Sequence, residues 1–227
     1  MSLRQLRSNT TAIRAMPGEI ANTVTHGIGF VLSVIGAVAM LCFMFQQVEM
    51  WQWLGCLAFL IPMVVVYFAS TCSHGISQPR LRNLFRQWDQ GSIYLFIAGS
   101  YTPWAITYMR FDWCIALLSV VWSAALIGFF SKIMGKHCVT HVCLTLYVLL
   151  AWVPAMATLF PLSPQYIFNI VPTGGVCWLF LGGLFYMIGT IFWRLDKTEY
   201  HFHAIWHLLV MLGTACHYFG ILFYVTR

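Results

Sequence analysis

Apolar stretches of about 20 residues recur along this chain, at 23–45, 51–73, 91–109, 113–131, 139–160, 174–194 and 203–225. About 20 apolar residues are what a helix needs to cross the hydrocarbon core of a bilayer. The breaks between them are polar or turn-forming: QQVEM, HGISQPRLRNLFRQWDQ, MRFDW, SKIMGKH, PLSPQ and RLDKTEYHF. The short alternating segments of an outer-membrane barrel are not seen. Only 8% of the residues are charged, against about 25% in soluble domains, which is too little polar surface for a water-soluble fold. The pattern predicts an all-α, seven-transmembrane helix bundle over 23–227, preceded by a basic arm at 1–22. The arm carries Arg4, Arg7 and Arg14. It lacks a short apolar core with a small-residue cleavage site, so it reads as an arm and not a signal peptide.

Basic residues set the expected direction. With seven spans, the arm, the 75–90 segment, the 132–138 segment and the 194–202 segment share one side and hold ten of the twelve Lys and Arg. Only Arg110 and Arg227 fall on the other. Positively charged loops stay inside, so the N-terminus is expected in the cytoplasm and the C-terminus outside, opposite to G-protein-coupled receptors. None of Lys132, Lys136 and Lys197 is mid-span, so a retinal Schiff base is excluded. Topology also accounts for the net charge of +6, and no nucleic-acid partner is expected. The eight cysteines lie in or beside the spans without a CxxC pair, as small buried hydrophobes do.

Polar residues converge at one depth. Ser70 and His74 end the second span, Asp89 precedes the third, and His203 and His207 open the seventh. Ionisable groups within a membrane are expensive and usually functional. Residues four apart share a helix face at about 6 Å, so Ser70/His74 and His203/His207 are each paired. Two histidines at that spacing can hold one metal ion. A third from another helix completes His₃, with room for water in a tetrahedral zinc site. Asp89 would bind that water or act as its base, and Ser70 would hydrogen-bond the water or a developing oxyanion.

The segments EIANTVTHGIG, STCSH, DQGSIYLFIAGSYTP and HAIWH resemble, in order and spacing, those of the bacterial hemolysin III family, relatives of the progestin and adipoQ (adiponectin) receptors. The resemblance covers nearly the whole chain. It implies a seven-helix bundle with a zinc site near the cytoplasmic face, in a bacterial inner (plasma) membrane. The motif histidines fall on His74, His203 and His207, the acid on Asp89 and the serine on Ser70. The wider superfamily includes alkaline ceramidases, which implies hydrolysis of a lipid amide. The family name records cytolysis, and bacterial members are linked to membrane lipid homeostasis.

Two functions follow as expectations. One is a zinc-dependent hydrolase of a lipid amide or ester, with membrane lipids as partners and a fatty-acyl substrate. The other is a non-enzymatic sensor, or a cytolytic pore-type protein, with a structural zinc. Three histidines with a water-held acid look more catalytic than structural.

Other residues carry plainer readings. His137 and His141 also lie four apart, at the start of span five, and read as interface histidines. His201 reads as a loop residue. His217 lies ten residues beyond His207, about 15 Å deeper, and is expected to hydrogen-bond inside the bundle. Glu19 and His26 are expected to support the site or contact substrate, with Asn22 sharing their network. Gly182, Gly183 and Gly189 are expected at close helix contacts. Pro103 and Pro154 are expected to kink spans three and five.

Overall fold

The computed structural model describes residues 3–45, 48–135, 140–159, 169–196 and 201–227; the side chains of 3–17, 140–143, 153–155 and 157–159 fall outside that description. Seven long helices follow one another: α1 Leu3–Met44, α2 Met50–Gly75, α3 Pro79–Tyr108, α4 Asp112–Ile133, α5 Thr140–Leu159, α6 Thr173–Leu195 and α7 Phe202–Tyr224. No strand occurs among the described residues. Among the described residues, five helical segments are apolar and long enough to cross a membrane: Gly18–Met44 of α1, with α2, α4, α6 and α7.

The 75–90 segment is not the simple polar break the sequence suggests. It becomes helical at Pro79 and continues into the third apolar stretch. Proline suits a first helical position, where its missing N–H costs nothing. The side chain of Arg82 reaches back from α3 to the end of α2. Its Nε donates to the carbonyl of Ile76 at 2.9 Å and a terminal nitrogen donates to that of His74 at 3.4 Å. Carbonyls that α2 cannot satisfy internally thus find a partner, and the two helix ends are tied together. α1 likewise runs without a break from Leu3 through the arm into the first apolar stretch.

α2 packs on α1 and α3, α3 on α4, and α6 on α7, while α7 returns against α1 and closes the bundle. α5 leans on α3 and α4. Glycine governs the tightest of these contacts. A Cβ on Gly99 would stand 2.2 Å from the carbonyl oxygen of Ala58, and one on Gly182 would meet the His217 ring at 2.7 Å. Gly183 has ordinary space, with Trp152 at 3.6 Å.

The outer surface of the bundle is apolar, and several polar side chains are buried among its apolar core. Val24, Val31, Leu32 and Ile35 of α1 are exposed, whereas Asn22, His26, Ser70, Ser73, His207 and Thr214 are buried. Hydrogen bonds stitch this interior: Tyr67 donates to Thr214 Oγ1 at 2.7 Å, and Tyr186 shares the same hydroxyl at 3.1 Å. His217 departs from expectation. Its Nδ1 is buried without a partner, and the ring is held by stacking on Tyr186, centroids 5.5 Å apart. α3 continues as helix through Pro103. The six described cysteines are free. His137 lies outside the described residues, as do the side chains of His141 and Pro154.

Candidate metal centre

At the near end of the bundle, where α2 finishes and α7 begins, three histidines converge. His74 comes from the last turn of α2, and His203 and His207 from the first two turns of α7. One ring nitrogen from each lies within 4.8 Å of the others. Ring centroids are 4.6 Å apart for His203 and His207, 5.1 Å for His74 and His203, and 5.2 Å for His74 and His207. This geometry can hold a metal ion.

Hydrogen bonds orient all three rings. His74 Nδ1–H donates to Glu19 Oε2 at 2.7 Å. His203 Nδ1–H donates to Asp196 Oδ2 at 3.0 Å. His207 Nδ1 lies 3.1 Å from Thr25 Oγ1. The Thr25 hydroxyl spends its own proton on the carbonyls of Ala21 and Asn22, at 2.9 and 3.1 Å, so it accepts from the ring. A carboxylate can only accept. Each Nδ1 therefore carries the proton, and each Nε2 keeps the lone pair a metal needs. Metal-binding histidines are generally anchored in this way.

Asp89 and Ser70 line the same cavity as the histidines, but Asp89 stands outside the close group of ligand atoms. Asp89 precedes the apolar part of α3. Burial pushes its carboxyl up to about 7, against the pull of His203, the Ser70 and Ser73 hydroxyls and Arg86. Ser70 Oγ lies beside this carboxyl but makes no aligned hydrogen bond, and it is fully buried. A buried hydroxyl without a partner costs about 1–3 kcal/mol, so its place beside the histidines fits a ligand-binding role.

His26 stacks flat on His207, and both its ring nitrogens are buried without partners. Glu19 takes the supporting position expected of it. Asn22 contributes its backbone carbonyl to Thr25, while its side-chain oxygen has no partner. His201 caps the start of α7, accepting from the Ile205 N–H at 3.1 Å, and His217 belongs to the deeper stack on Tyr186. The sequence reading missed Asp196 and Thr25. Thr25 sits inside EIANTVTHGIG, one residue before His26, but nothing in the spacing pairs it with His207. Asp196 lies in a polar connection, where an acid is ordinary.

A cavity of about 930 Å³ leads away from the histidines. It runs past Phe96, Ile97 and Leu179 to Trp104 and Met109, at the far end of α3. Residues of all seven helices line it. The long, mostly apolar shape suits an extended hydrocarbon chain.

Comparison with known proteins agrees with this architecture. Residues 14–218 match the family described as "Haemolysin-III related". The "Hemolysin-3 homolog" of Bacillus subtilis is 34% identical over 209 residues, covering 92% of this chain and 95% of that protein. "Hemolysin-3" of Bacillus cereus is 32% identical over 207 residues, 91% of each chain. The human "Monocyte to macrophage differentiation factor" is 26% identical over 212 residues, 91% of this chain and 84% of that one.

Proposed function

The chain belongs to the haemolysin-III-related family of multi-pass membrane proteins, and we propose that it is a zinc-dependent hydrolase of a lipid amide or ester. In this reading the near end faces the cytoplasm of a bacterial cell, and the protein acts in membrane lipid homeostasis. The observation that carries the proposal is the anchoring of all three histidines through Nδ1, by Glu19, Asp196 and Thr25. That leaves three neutral nitrogen ligands on one point, a donor set suited to zinc.

A bound zinc ion supplies a Lewis acid that polarises a water and a carbonyl. The protein's own groups do the rest. Asp89, whose carboxyl titrates near neutral pH, accepts a proton from the attacking water and returns it to the leaving nitrogen or oxygen as the acyl bond breaks. Ser70 donates its unused hydroxyl proton to the oxygen on which charge develops. The apolar cavity holds the acyl chain and places its carbonyl beside the histidines. Structural zinc sites usually close with four protein ligands. Glu19 and Asp196 are committed to the Nδ1 atoms and Asp89 stands apart, which supports an open position.

Elemental analysis of detergent-purified protein tests the metal. About one zinc per chain is expected, lost in His203→Ala/His207→Ala. Hydrolysis of N-acyl and O-acyl lipids by the metal-loaded protein then tests the chemistry. Wild-type protein without metal, prepared free of chelators, would overturn the reading.

A further inference from the structure

Near the histidines the cavity is lined by two cations that the proposed hydrolysis does not use. Arg86 and Lys132 both line it. Arg86 stands on α3 one turn before Gln90, so the two share a face at about 6 Å. Lys132 ends α4, and its Nζ donates to Gln90 Oε1 at 2.9 Å. The backbone of Gln90 is held in place, since its main-chain carbonyl accepts from the Tyr147 hydroxyl at 2.6 Å. Arg86, Gln90 and Lys132 therefore form one contiguous rim.

Among the described residues no acid forms an ion pair with this rim. Glu19 is committed to His74 and Asp196 to His203, and Asp89 faces Ser70 and Ser73. Among the described residues Arg86 has no hydrogen bond or ion pair, and its side chain is exposed. Its charge nevertheless reaches both Asp89 and His74, which puts it at the site and not out in the loop. Arg80, on the same segment, does not line the cavity. Keeping positive charge on one side of the membrane would be served equally by either position. Only Arg86 is placed to touch what enters.

We propose that Arg86 and Lys132 clamp the anionic head group of a membrane lipid at the histidine end of the cavity, while its acyl chain runs inward toward Trp104. Arginine offers a planar fork of donors that matches phosphate, and lysine a compact charge with two donors still unused. A small soluble anion would leave the long apolar cavity empty behind it, so the occupant is a lipid. The inference rests on the cavity being a lipid site, as in the proposed hydrolase, but it concerns binding and not turnover.

The test measures binding of a tail-labelled phosphatidylglycerol and a tail-labelled phosphatidylcholine to purified protein in neutral detergent. Wild type is expected to bind the anionic lipid about tenfold more tightly. Arg86→Gln alone, which removes no contact within the protein, should lose most of that preference, and Arg86→Gln/Lys132→Gln should abolish it. Arg80→Gln should keep it. Arg86→Lys/Lys132→Arg should retain it and show that charge is what is read. The preference should also survive His203→Ala/His207→Ala, which separates the clamp from the metal reading. Equal binding of the two lipids by wild type would overturn the proposal. So would a loss in Arg80→Gln as large as in Arg86→Gln. Displacement of the anionic lipid by glycerol phosphate at lipid-like concentrations would overturn the assignment to a lipid.

Discussion

The rings of His26 and His207 lie face to face, with centroids 3.5 Å apart and planes 20° from parallel. His26 is 4% exposed and His207 1%, so this stack is part of the wall that fixes the third ligand. A flat partner should therefore matter more than a basic one. His26→Phe is expected to keep metal content near wild type. His26→Ala should weaken retention about tenfold, a magnitude typical of lost outer-shell support. Residual zinc after dialysis against graded chelator reads this out. Equal loss in both variants would mean the ring nitrogens, and not the stacking, do the supporting.

Removing the anchoring acceptors should tell on the metal before it tells on the fold. Asp196→Ala and Glu19→Ala each free one histidine ring, and each is expected to lower metal affinity about 10- to 100-fold. Both acids are partly exposed, so thermal unfolding of the metal-free protein should hardly change. Wild-type affinity in both variants would show that ring orientation is set elsewhere.

Asp89→Asn separates holding a metal from using it. The carboxyl stands outside the close ligand group, so zinc stoichiometry should stay near one per chain. Turnover should fall by about 10²–10⁴, the usual contribution of a positioned proton acceptor. A variant that loses zinc along with activity would make Asp89 a ligand.

Chelation offers a fourth check. The histidines sit at one end of the bundle, while the main apolar cluster around Phe59, Met63, Trp104 and Ile221 lies apart from them. Metal-stripped protein is expected to keep its helical circular dichroism and lose hydrolysis, and to regain hydrolysis on adding zinc. Unfolding on chelation would point to a structural ion.

The close approach of Gly99 to the α2 backbone makes a prediction about stability. Gly99→Ala would drive a methyl to 2.2 Å from the Ala58 carbonyl, which α2 and α3 can relieve only by separating. A cost of about 1–3 kcal/mol or more is expected. Gly183→Ala, with its nearest neighbour at 3.6 Å, should be near neutral. Thermal unfolding of the two variants in the same detergent gives the comparison.

Much of this molecule is legible in its sequence because a membrane imposes one strong rule. Backbone groups must be satisfied within the segment, so apolar runs become helices, and the ends of the expected spans fall within a few residues of the helix ends seen, except that α1 and α3 start earlier, at Leu3 and Pro79. His203 and His207 follow from four-residue spacing, and His74 from its depth. What escaped depends on relations that no local pattern encodes. Asp196 and Thr25 matter only because folding brings them to His203 and His207. The helix over 79–90 was hidden by its charge. Its Leu81, Leu84 and Trp88 are spaced for one helical face, but the three arginines among them made the stretch read as a loop. His217 found an aromatic neighbour where a hydrogen bond was expected, since Tyr186 approaches face-on and is itself bonded to Thr214.

The bond between Thr25 and His207 joins residues 182 apart in the chain. A polypeptide inserted helix by helix into a membrane carries Glu19, Thr25 and His74 early in synthesis, yet His203 and His207 arrive only with the final segment. Until α7 docks against α1, two of the three ligands are absent and His26 has no ring to stack on. The three-histidine cluster thus forms only once α7 has docked, and a product stopped short of α7 keeps His74 on α2 without the other two rings.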